Sequence, residues 1–316
     1  MVDKLHNFRP MLLIIIIPIL FSCATTALKA TYNSQGITYL EKGQYDEAIS
    51  NFNMAIEIDP RYAKAYYNRG IAYEKKGQYD EAISDYTRAL QINPRHAGAR
   101  KNRGNSYVGK GEYDLAISDY TKELEINPKD AWAYSNRSLA YTCRRQYDEA
   151  ISDSNKAIEI NSRIAAFYLN RGIAYGGKRQ FDKAISDFSK AIEINPRDAG
   201  AYNGRGATYN EKGQYDEAIS DYTRALQINP RHALAYNNRG SAYNDKGEYD
   251  QAISDFNKAI EINPRYDEAY YNRGRSYYLK KEYDKSWKDI KRAQDLGYKI
   301  PAEFLDDLRK ASGREK

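Results

Sequence analysis

Few residues of this 316-residue chain combine the side-chain types and the spacing that chemistry requires. His96 and His232 occupy the same place in two nearly identical segments, and His6 lies in the N-terminal leader. No Cys/His spacing of a metal site, no phosphate-binding loop and no nucleophile motif occurs. The sequence therefore predicts no catalytic residue, no metal site and no cofactor. Cys143 has no histidine near it in sequence, and we interpret it as an inert thiol.

Asparagine is the residue type whose spacing suits binding. It recurs at a 34-residue spacing, with breaks at Ser34 and Gly204, as Asn68, Asn102, Asn136, Asn170, Asn238 and Asn272. The amide of asparagine both donates and accepts hydrogen bonds. A row of these side chains could therefore pair with the backbone of an extended peptide, whatever the sequence of that peptide. The alternative is that each asparagine caps or bridges elements within the scaffold.

The elements that position these residues are repeats of 34 residues. Eight units align without a gap, and most carry Gly at position 8, Ala at positions 20 and 27, and Pro at position 32. A unit of this length is one helix–turn–helix that cannot bury its apolar face alone, so neighbouring units must stack. The predicted repeats 1 to 8 are residues 29–62, 63–96, 97–130, 131–164, 165–198, 199–232, 233–266 and 267–300, and residues 301–316 are predicted to form a C-terminal capping helix.

This skeleton resembles the tetratricopeptide repeat. The resemblance implies an all-α fold, a right-handed α-α superhelix in which each repeat contributes two antiparallel helices. Helix A lies near positions 1–14 of the repeat and helix B near positions 18–31. The resemblance also implies that helix-A positions 2, 5, 6, 9, 12 and 13 line a concave groove, and that the protein binds other proteins and does not catalyse a reaction.

The resemblance places further side chains in that groove. Repeats 4 and 5 carry an apolar group there, formed by Trp132, Leu139, Leu169 and Ile173. Such a group predicts an anchor pocket for a partner side chain. The alternative for Trp132 is packing on the neighbouring repeat. Tyr67 and Tyr271, both at position 5, are expected to make secondary contacts with the partner.

Charge at position 7 tracks charge at position 23 of the same repeat. Position 7 is Arg and position 23 is Asp in seven repeats, whereas repeat 1 carries Gln35 and Asn51 instead. This covariation predicts an ion pair that joins helix A to helix B within each repeat. The predicted pairs are Arg69–Asp85, Arg103–Asp119, Arg137–Asp153, Arg171–Asp187, Arg205–Asp221, Arg239–Asp255 and Arg273–Asp289.

Repeats 3 and 4 depart from the common pattern. Glu123 occupies a position that is Ala in the seven other repeats, and Arg100 replaces the Tyr of position 4. Because these residues break the pattern that the other repeats share, we expect this stretch to open more readily than repeat 2 or repeat 6.

Residues 1–22 resemble a bacterial lipoprotein signal. Lys4 and Arg9 precede the apolar stretch 11–21, and the sequence Leu-Phe-Ser-Cys that ends at Cys23 follows the spacing of the lipidation motif, apart from its Phe. The resemblance implies removal of residues 1–22 and lipidation of Cys23, which would tether the repeats to a membrane. An uncleaved single N-terminal membrane anchor and plain secretion are the alternatives. The residue after Cys23 is not acidic, which favours the outer membrane over the inner one.

The net charge of +6 is spread over every repeat without a Lys/Arg block, which argues against nucleic-acid binding. The sequence thus predicts a non-enzymatic protein–protein interaction scaffold, tethered to the bacterial envelope, that binds an extended peptide or a helix of a partner in its groove. The narrower alternative is an assembly factor for outer-membrane proteins or pili. A different alternative is binding of a cell-wall or surface glycan. The sequence does not indicate the oligomeric state.

Overall fold

The computed structural model describes the backbone of residues 9–314 and the side chains of residues 25–314. Within this range it contains no strand and 17 helices. The predicted signal segment and the side chain of Cys23 lie outside the residues whose side chains are described. The helices are α1 (Arg9–Glu41), α2 (Tyr45–Ile58), α3 (Ala63–Lys75), α4 (Tyr79–Ile92), α5 (Ala97–Gly109), α6 (Tyr113–Ile126), α7 (Ala131–Cys143), α8 (Tyr147–Ile160), α9 (Ala165–Gly177), α10 (Phe181–Ile194), α11 (Ala199–Glu211), α12 (Tyr215–Ile228), α13 (Ala233–Asp245), α14 (Tyr249–Ile262), α15 (Asp267–Leu279), α16 (Tyr283–Asp295) and α17 (Ala302–Ser312).

The chain divides into two compact units, residues 1–146 and residues 147–316. We call them the N-terminal unit, which holds α1 to α7, and the C-terminal unit, which holds α8 to α17. In each unit, short turns join a helix A to the helix B that follows it, and this connection makes the pair antiparallel. The described part of the chain therefore confirms the predicted all-α class.

The turn from helix A to helix B requires one residue with positive φ at position 15. Gly77, with φ of 73°, is typical of the position, because glycine has no Cβ to oppose this conformation. Arg145, Arg179 and Lys281 adopt it without that freedom, with φ between 58° and 62°. At the other end of six pairs, the residue that follows helix B closes an Asx turn, as when Asn93 Oδ1 accepts a hydrogen bond from the backbone N–H of Arg95.

Every repeat except repeat 4 places one large side chain of helix B against a glycine of helix A. In the N-terminal unit a Cβ added at Gly70 would lie 2.6 Å from the ring of Tyr86, so the two helices approach as closely as they do only because position 8 is glycine. Phe256 and Gly240 repeat this contact in the C-terminal unit. Fully buried alanines, such as Ala82 and Ala89, complete the contact between neighbouring helices. The core is thus a series of small local clusters.

In six repeats the arginine of position 7 makes a three-pronged connection. Its Nε and Nη2 donate to the two carboxylate oxygens of the position-23 Asp at 2.7–2.8 Å. Its Nη1 donates to a side-chain oxygen at position 25 of the preceding repeat. The predicted pair is confirmed for six arginines; Arg137 and Asp153 belong to different units, and their pairing stays a prediction.

The C-terminal helix α17 covers the end of the last repeat. Leu308 is fully buried with Ile290 and Ala293. The Nε1 of Trp287 donates to Ser312 Oγ at 3.0 Å. Just past the helix, Arg314 pairs with Asp284 at 2.8 Å. This last pair continues a row in which the Lys or Arg at position 14 contacts the Asp at position 18 of the preceding repeat, as Lys246 contacts Asp216. The segment 302–314 thus takes the place that the helix A of a ninth repeat would occupy.

Candidate functional site

The asparagines of position 6 bridge neighbouring A helices. Asn68 donates to Asn33 Oδ1 at 2.9 Å, Asn136 to Asn105 Oδ1 at 2.9 Å, and Asn102 to the Tyr67 hydroxyl at 3.4 Å. In the C-terminal unit, two more such bonds of 3.1 Å join Asn238 to Asn203 and Asn272 to Asn237. The scaffold-bridging alternative therefore describes these five side chains. A bound peptide would have to use the second amide hydrogen or the carbonyl oxygen of each. Asn170 is half-buried on α9.

Tyr271 is buried and does not line the groove as a contact for a partner, contrary to the expectation from its repeat position. Its side chain is only 9% exposed, and its ring stacks on Tyr298 with the ring centroids 4.7 Å apart. The ring of Phe304, on α17, meets the same tyrosine edge-on at 5.8 Å. The expectation of a partner contact overlooked this C-terminal segment, which fills the space beside the last helix A. Tyr271 is a packing residue in this structure.

Tyr67 is also held by its neighbours. Its ring lies 4.6 Å from the imidazole of His96 and 6.0 Å from the ring of Tyr86, measured between centroids. Burial raises the pKa of the Tyr67 hydroxyl, which accepts the hydrogen bond from Asn102. This hydrogen bond joins repeat 2 to repeat 3, and a contact of Tyr67 with a partner stays a prediction.

The apolar group of repeats 4 and 5 falls into the two units. Trp132 is 48% exposed on the first turn of α7, and Leu139 on the same helix is half-buried. In the C-terminal unit, Leu169 packs on the cluster around Tyr168, and Ile173 is 40% exposed. An anchor pocket that uses all four residues stays a prediction, because its members lie in separate units.

The C-terminal unit contains an apolar cavity that the sequence reading did not predict. Its volume is about 230 Å³. The lining residues come from α9, α10 and α11: Gly172, Ile173, Gly176, Phe181, Phe188, Gly204, Ala207, Thr208 and Glu211. The hydroxyl of Thr208 donates to the backbone oxygen of Gly204 at 2.9 Å, within its own helix. Glu211 is the one charged residue of the lining.

Three local departures from the repeat pattern create this cavity. Gly204 interrupts the asparagine row at position 6, Gly176 stands at position 12 where other repeats have larger side chains, and Phe188 replaces the Tyr found at position 24 in repeats 2, 3 and 6. A Cβ at Gly204 would lie 2.8 Å from the Phe188 ring, whereas a Cβ at Gly176 would meet nothing within 4 Å. The break at Gly204 was visible in the sequence and was the available signal.

Two carboxylates of the N-terminal unit are partly or fully withdrawn from solvent. Glu74 accepts a hydrogen bond from the Tyr86 hydroxyl at 2.8 Å, and burial raises the pKa of its carboxyl. Glu123 is fully buried, with Arg100 Nη1 at 3.8 Å, and burial raises its pKa as well. Within the described residues, neither oxygen of Glu123 accepts a hydrogen bond. The hydroxyl of the buried Ser106 also donates to Glu74, at 3.4 Å, so this carboxylate connects repeats 2 and 3.

The histidines act as helix caps. His96 Nδ1 accepts a hydrogen bond from the backbone N–H of Ala99 at 3.1 Å, and His232 Nδ1 accepts one from Ala235 at 3.3 Å. No set of His, Cys, Asp and Glu side chains in the described part of the chain is arranged to hold a metal ion. Among residues 25–314, whose side chains are described, no helical segment is both long enough and apolar enough to cross a bilayer.

Family models place these features in a known context. Two models described as tetratricopeptide repeat match residues 63–96, 165–198 and 199–232, and residues 221–254, respectively. A third, described as TPR repeat, matches residues 36–77, 104–142 and 240–281. Together the matches cover more than half of the chain. A search of curated proteins found no match.

Solved structures share the fold. A tetratricopeptide repeat protein from Parabacteroides merdae ATCC 43184 is 25% identical, with a TM-score of 0.66, and the match covers 80% of this chain and 97% of that one. A chain of the APC/C hetero-tetramer Cut9–Hcn1 is 17% identical with a TM-score of 0.68, and the match covers 87% of this chain but only 54% of that one. PilF of Pseudomonas aeruginosa is 17% identical with a TM-score of 0.57 over 67% of this chain and 96% of its own. From the matched repeats and the helix pairs that carry them, this chain belongs to the tetratricopeptide repeat family.

Proposed function

We propose that this protein is a non-enzymatic interaction scaffold, tethered to the bacterial envelope, that binds a peptide segment or helix of a partner protein on the face formed by its A helices. Tetratricopeptide repeats build protein–protein interaction scaffolds, so the coarse function follows from the family. The observation that supports the choice of face is the exposure of large apolar side chains at groove positions. Trp132 is 48% exposed and Ile173 is 40% exposed, at groove positions 2 and 9 of their repeats. Apolar groups of this kind are the usual anchors of a protein interface.

The asparagine row supports a modest contribution to binding. Because five asparagines of this row already bridge two A helices, their amides are held in a fixed orientation, which lowers the entropy lost when a peptide binds. The row would then add polar contacts along the peptide, while the apolar anchors supply most of the affinity.

Tethering to the envelope rests on the N-terminal sequence. Lys4 and Arg9 followed by the apolar stretch 11–21 and by Cys23 favour export and lipidation. A lipoprotein in the outer membrane is the favoured form. In either the lipidated or the uncleaved form, the first repeat would lie close to the membrane surface, since few residues separate Cys23 from Lys29.

Capture of partners from solubilised envelope tests the proposed binding face. The full-length chain is compared with a Trp132→Ala variant and with a matched variant, Met54→Ala, which removes a large exposed apolar side chain from a B helix. A partner that is retained by Met54→Ala and lost by Trp132→Ala supports the A-helix face. Equal capture by all three chains would move binding to another surface, and a partner that glycan digestion releases would favour the glycan alternative.

A further inference from the structure

We infer that the apolar cavity of repeats 5 and 6 is a specificity site, which takes one bulky apolar side chain of a peptide whose next residue is Lys or Arg. This inference deepens the proposed function and rests on it. It names which part of the A-helix face selects the partner, and what chemistry the partner must present.

The size of the cavity suits a single side chain. Its volume of about 230 Å³ is below the range of small-molecule sites. An apolar cavity of about 150 Å³ already accommodates a benzene molecule. The ring of a Phe or Tyr, or the side chain of a Leu, therefore fits with little space left over.

The cavity is apolar because two polar groups found at these positions in other repeats are missing here. A Tyr at position 24 would direct a hydroxyl to this region, as Tyr86 does toward Glu74, but Phe188 has none. An Asn at position 6 would add an amide, but Gly204 adds nothing. Phe188 and Gly204 are the one combination in the described repeats that removes both polar groups. Phe52 is followed by Asn68, and Phe256 by Asn272.

The floor of the cavity is rigid and its mouth is accessible. Phe188 is almost fully buried between Gly172 and Gly204, where a Cβ on either glycine would lie 2.8–2.9 Å from its ring. Ile173 borders the cavity and is exposed. A preformed apolar cavity costs little reorganisation when it is filled, so the free energy of burying the side chain appears as affinity.

Charge beside the cavity specifies the neighbouring residue of the peptide. Glu211 lines the cavity, and Asp245 is exposed at the same position of the next repeat. Burial is the largest cause that raises the pKa of the Tyr222 hydroxyl, and the charges of Asp221, Glu211 and Asp245 raise it further. Arg179 stands 3.9 Å from Glu211, but both side chains are mostly exposed, so this contact is weak. A Lys or Arg of the peptide, placed between Glu211 and Asp245, would complement this acidic edge.

Four fluorescein-labelled octapeptides test the inference on the full-length chain in detergent. The parent peptide is Gly-Ser-Ala-Phe-Lys-Ala-Ser-Gly, and three relatives replace its central Phe-Lys by Ala-Lys, Phe-Ala or Phe-Glu. Fluorescence anisotropy gives the dissociation constants. We expect loss of the Phe ring to weaken binding about tenfold to a hundredfold. We expect the Phe-Glu peptide to bind more weakly than Phe-Ala, with a difference that shrinks as salt is added.

A variant that fills the cavity tests the inference most directly. Gly176→Leu occupies open space, has the precedent of Leu40 at the same position of repeat 1, and improves the helix propensity of α9, so the chain should fold. The matched control Ser220→Leu adds the same side chain to an exposed position of helix B of repeat 6, outside the cavity lining. We expect Gly176→Leu to weaken binding of the Phe-Lys peptide at least tenfold, and Ser220→Leu to change it less than twofold.

Equal affinity of the wild-type and Gly176→Leu chains, equal affinity for the Phe-Lys and Ala-Lys peptides, or no binding of any octapeptide would each overturn the inference. These results are distinguishable from a failure of the proposed function. If envelope partners are captured through Trp132 but are retained by Gly176→Leu, the A-helix face stands and the assignment of this cavity falls.

Discussion

Arg205 holds Asp221 through two parallel hydrogen bonds of 2.8 Å and at the same time donates to Ser189 Oγ, in the preceding repeat, at 2.9 Å. One side chain thereby joins helix A to helix B and repeat 6 to repeat 5. Asp221 is buried, and the guanidinium also lies over the ring of Tyr202 at 5.7 Å. The fork of Arg matches this geometry, and a Lys could not reproduce it.

Removing either partner of this pair should destabilise the C-terminal unit strongly. We expect Arg205→Ala to lower the free energy of unfolding by about 3–5 kcal/mol, because it leaves the Asp221 carboxylate buried without its counter-ion. The double variant Arg205→Gln/Asp221→Asn copies the residues of repeat 1 and should cost less than either single substitution. Urea unfolding of the wild type, of the single variants Arg205→Gln and Asp221→Asn, and of the double variant measures this. Additive losses in the double variant would contradict the pairing account.

The buried pair of repeat 3 should behave in the opposite way. Glu123 has no hydrogen bond to its carboxylate within the described residues, and Arg100 approaches it only to 3.8 Å. Arg100→Tyr/Glu123→Ala restores the residues of the other repeats. We expect this variant to be more stable by about 1–4 kcal/mol. A melting temperature equal to or below that of the wild type would show that the ion pair contributes more than the common packing does.

The same carboxylate predicts a pH dependence. Burial is the largest cause that raises the Glu123 pKa; Arg100 and Lys101 oppose it, and Asp130 adds to it. A raised pKa means that the folded chain binds a proton more readily than the unfolded chain, so this group reduces stability as pH rises above the ordinary value of 4.5. The advantage of Arg100→Tyr/Glu123→Ala over wild type should therefore be larger at pH 7 than at pH 5. Thermal unfolding of both chains at the two pH values checks this, and an advantage that is constant with pH would contradict it.

The C-terminal helix α17 should stabilise the last repeat. Leu308 is fully buried against Ile290, and Trp287 is tied to Ser312. We expect Leu308→Ala to cost about 2–5 kcal/mol, and to shift the emission of Trp287 to longer wavelength in a background that carries Trp132→Phe. Asp306→Ala, on the exposed side of the same helix, serves as the control and should leave both quantities unchanged. Normal emission in Leu308→Ala would mean that α17 does not cover Trp287 in solution.

Lipidation predicts a simple biochemical difference. Cells supplied with radiolabelled palmitate should label the wild-type chain and not a Cys23→Ala variant, because the thiol of Cys23 is the attachment site in the lipoprotein reading. Cys143→Ala is the matched control and should be labelled like wild type. Labelling of Cys23→Ala, or its absence from all three chains, would favour the uncleaved anchor or secretion.

Much of the fold could be predicted from the repeat pattern, because most contacts form within a repeat or between neighbouring repeats. The pairing of Arg with Asp could be predicted because repeat 1 lacks both partners, as Gln35 and Asn51. The third bond of the arginine could not, because position 25 varies among Asn, Thr and Ser, and only the structure shows that each presents an oxygen. The hydrogen-bond acceptor therefore recurs at this position, although the residue type does not.

The binding surface was less predictable than the scaffold. Tyr271 has the same repeat position as Tyr67, but the segment after the last repeat folds over it, and no repeat pattern describes that segment. The sequence did not indicate the cavity of repeats 5 and 6, because the cavity depends on small or less polar residues on three different helices. The alignment of the repeats marked Gly204 as a break, but only the structure shows that the Phe188 ring lies against it.

Site-specific photocrosslinking in living cells tests the central claim most directly. The photoreactive amino acid p-benzoylphenylalanine is placed in separate chains at Trp132 and Ile173, on A helices, and at Glu261 and Lys288, on exposed faces of B helices. Irradiation followed by electrophoresis and mass spectrometry identifies what each position touches. A scaffold that binds partners on its A-helix face should give a discrete protein adduct from Trp132 or Ile173 and none from the other two. Adducts confined to Glu261 and Lys288, or no protein adduct from any of the four positions, would contradict it.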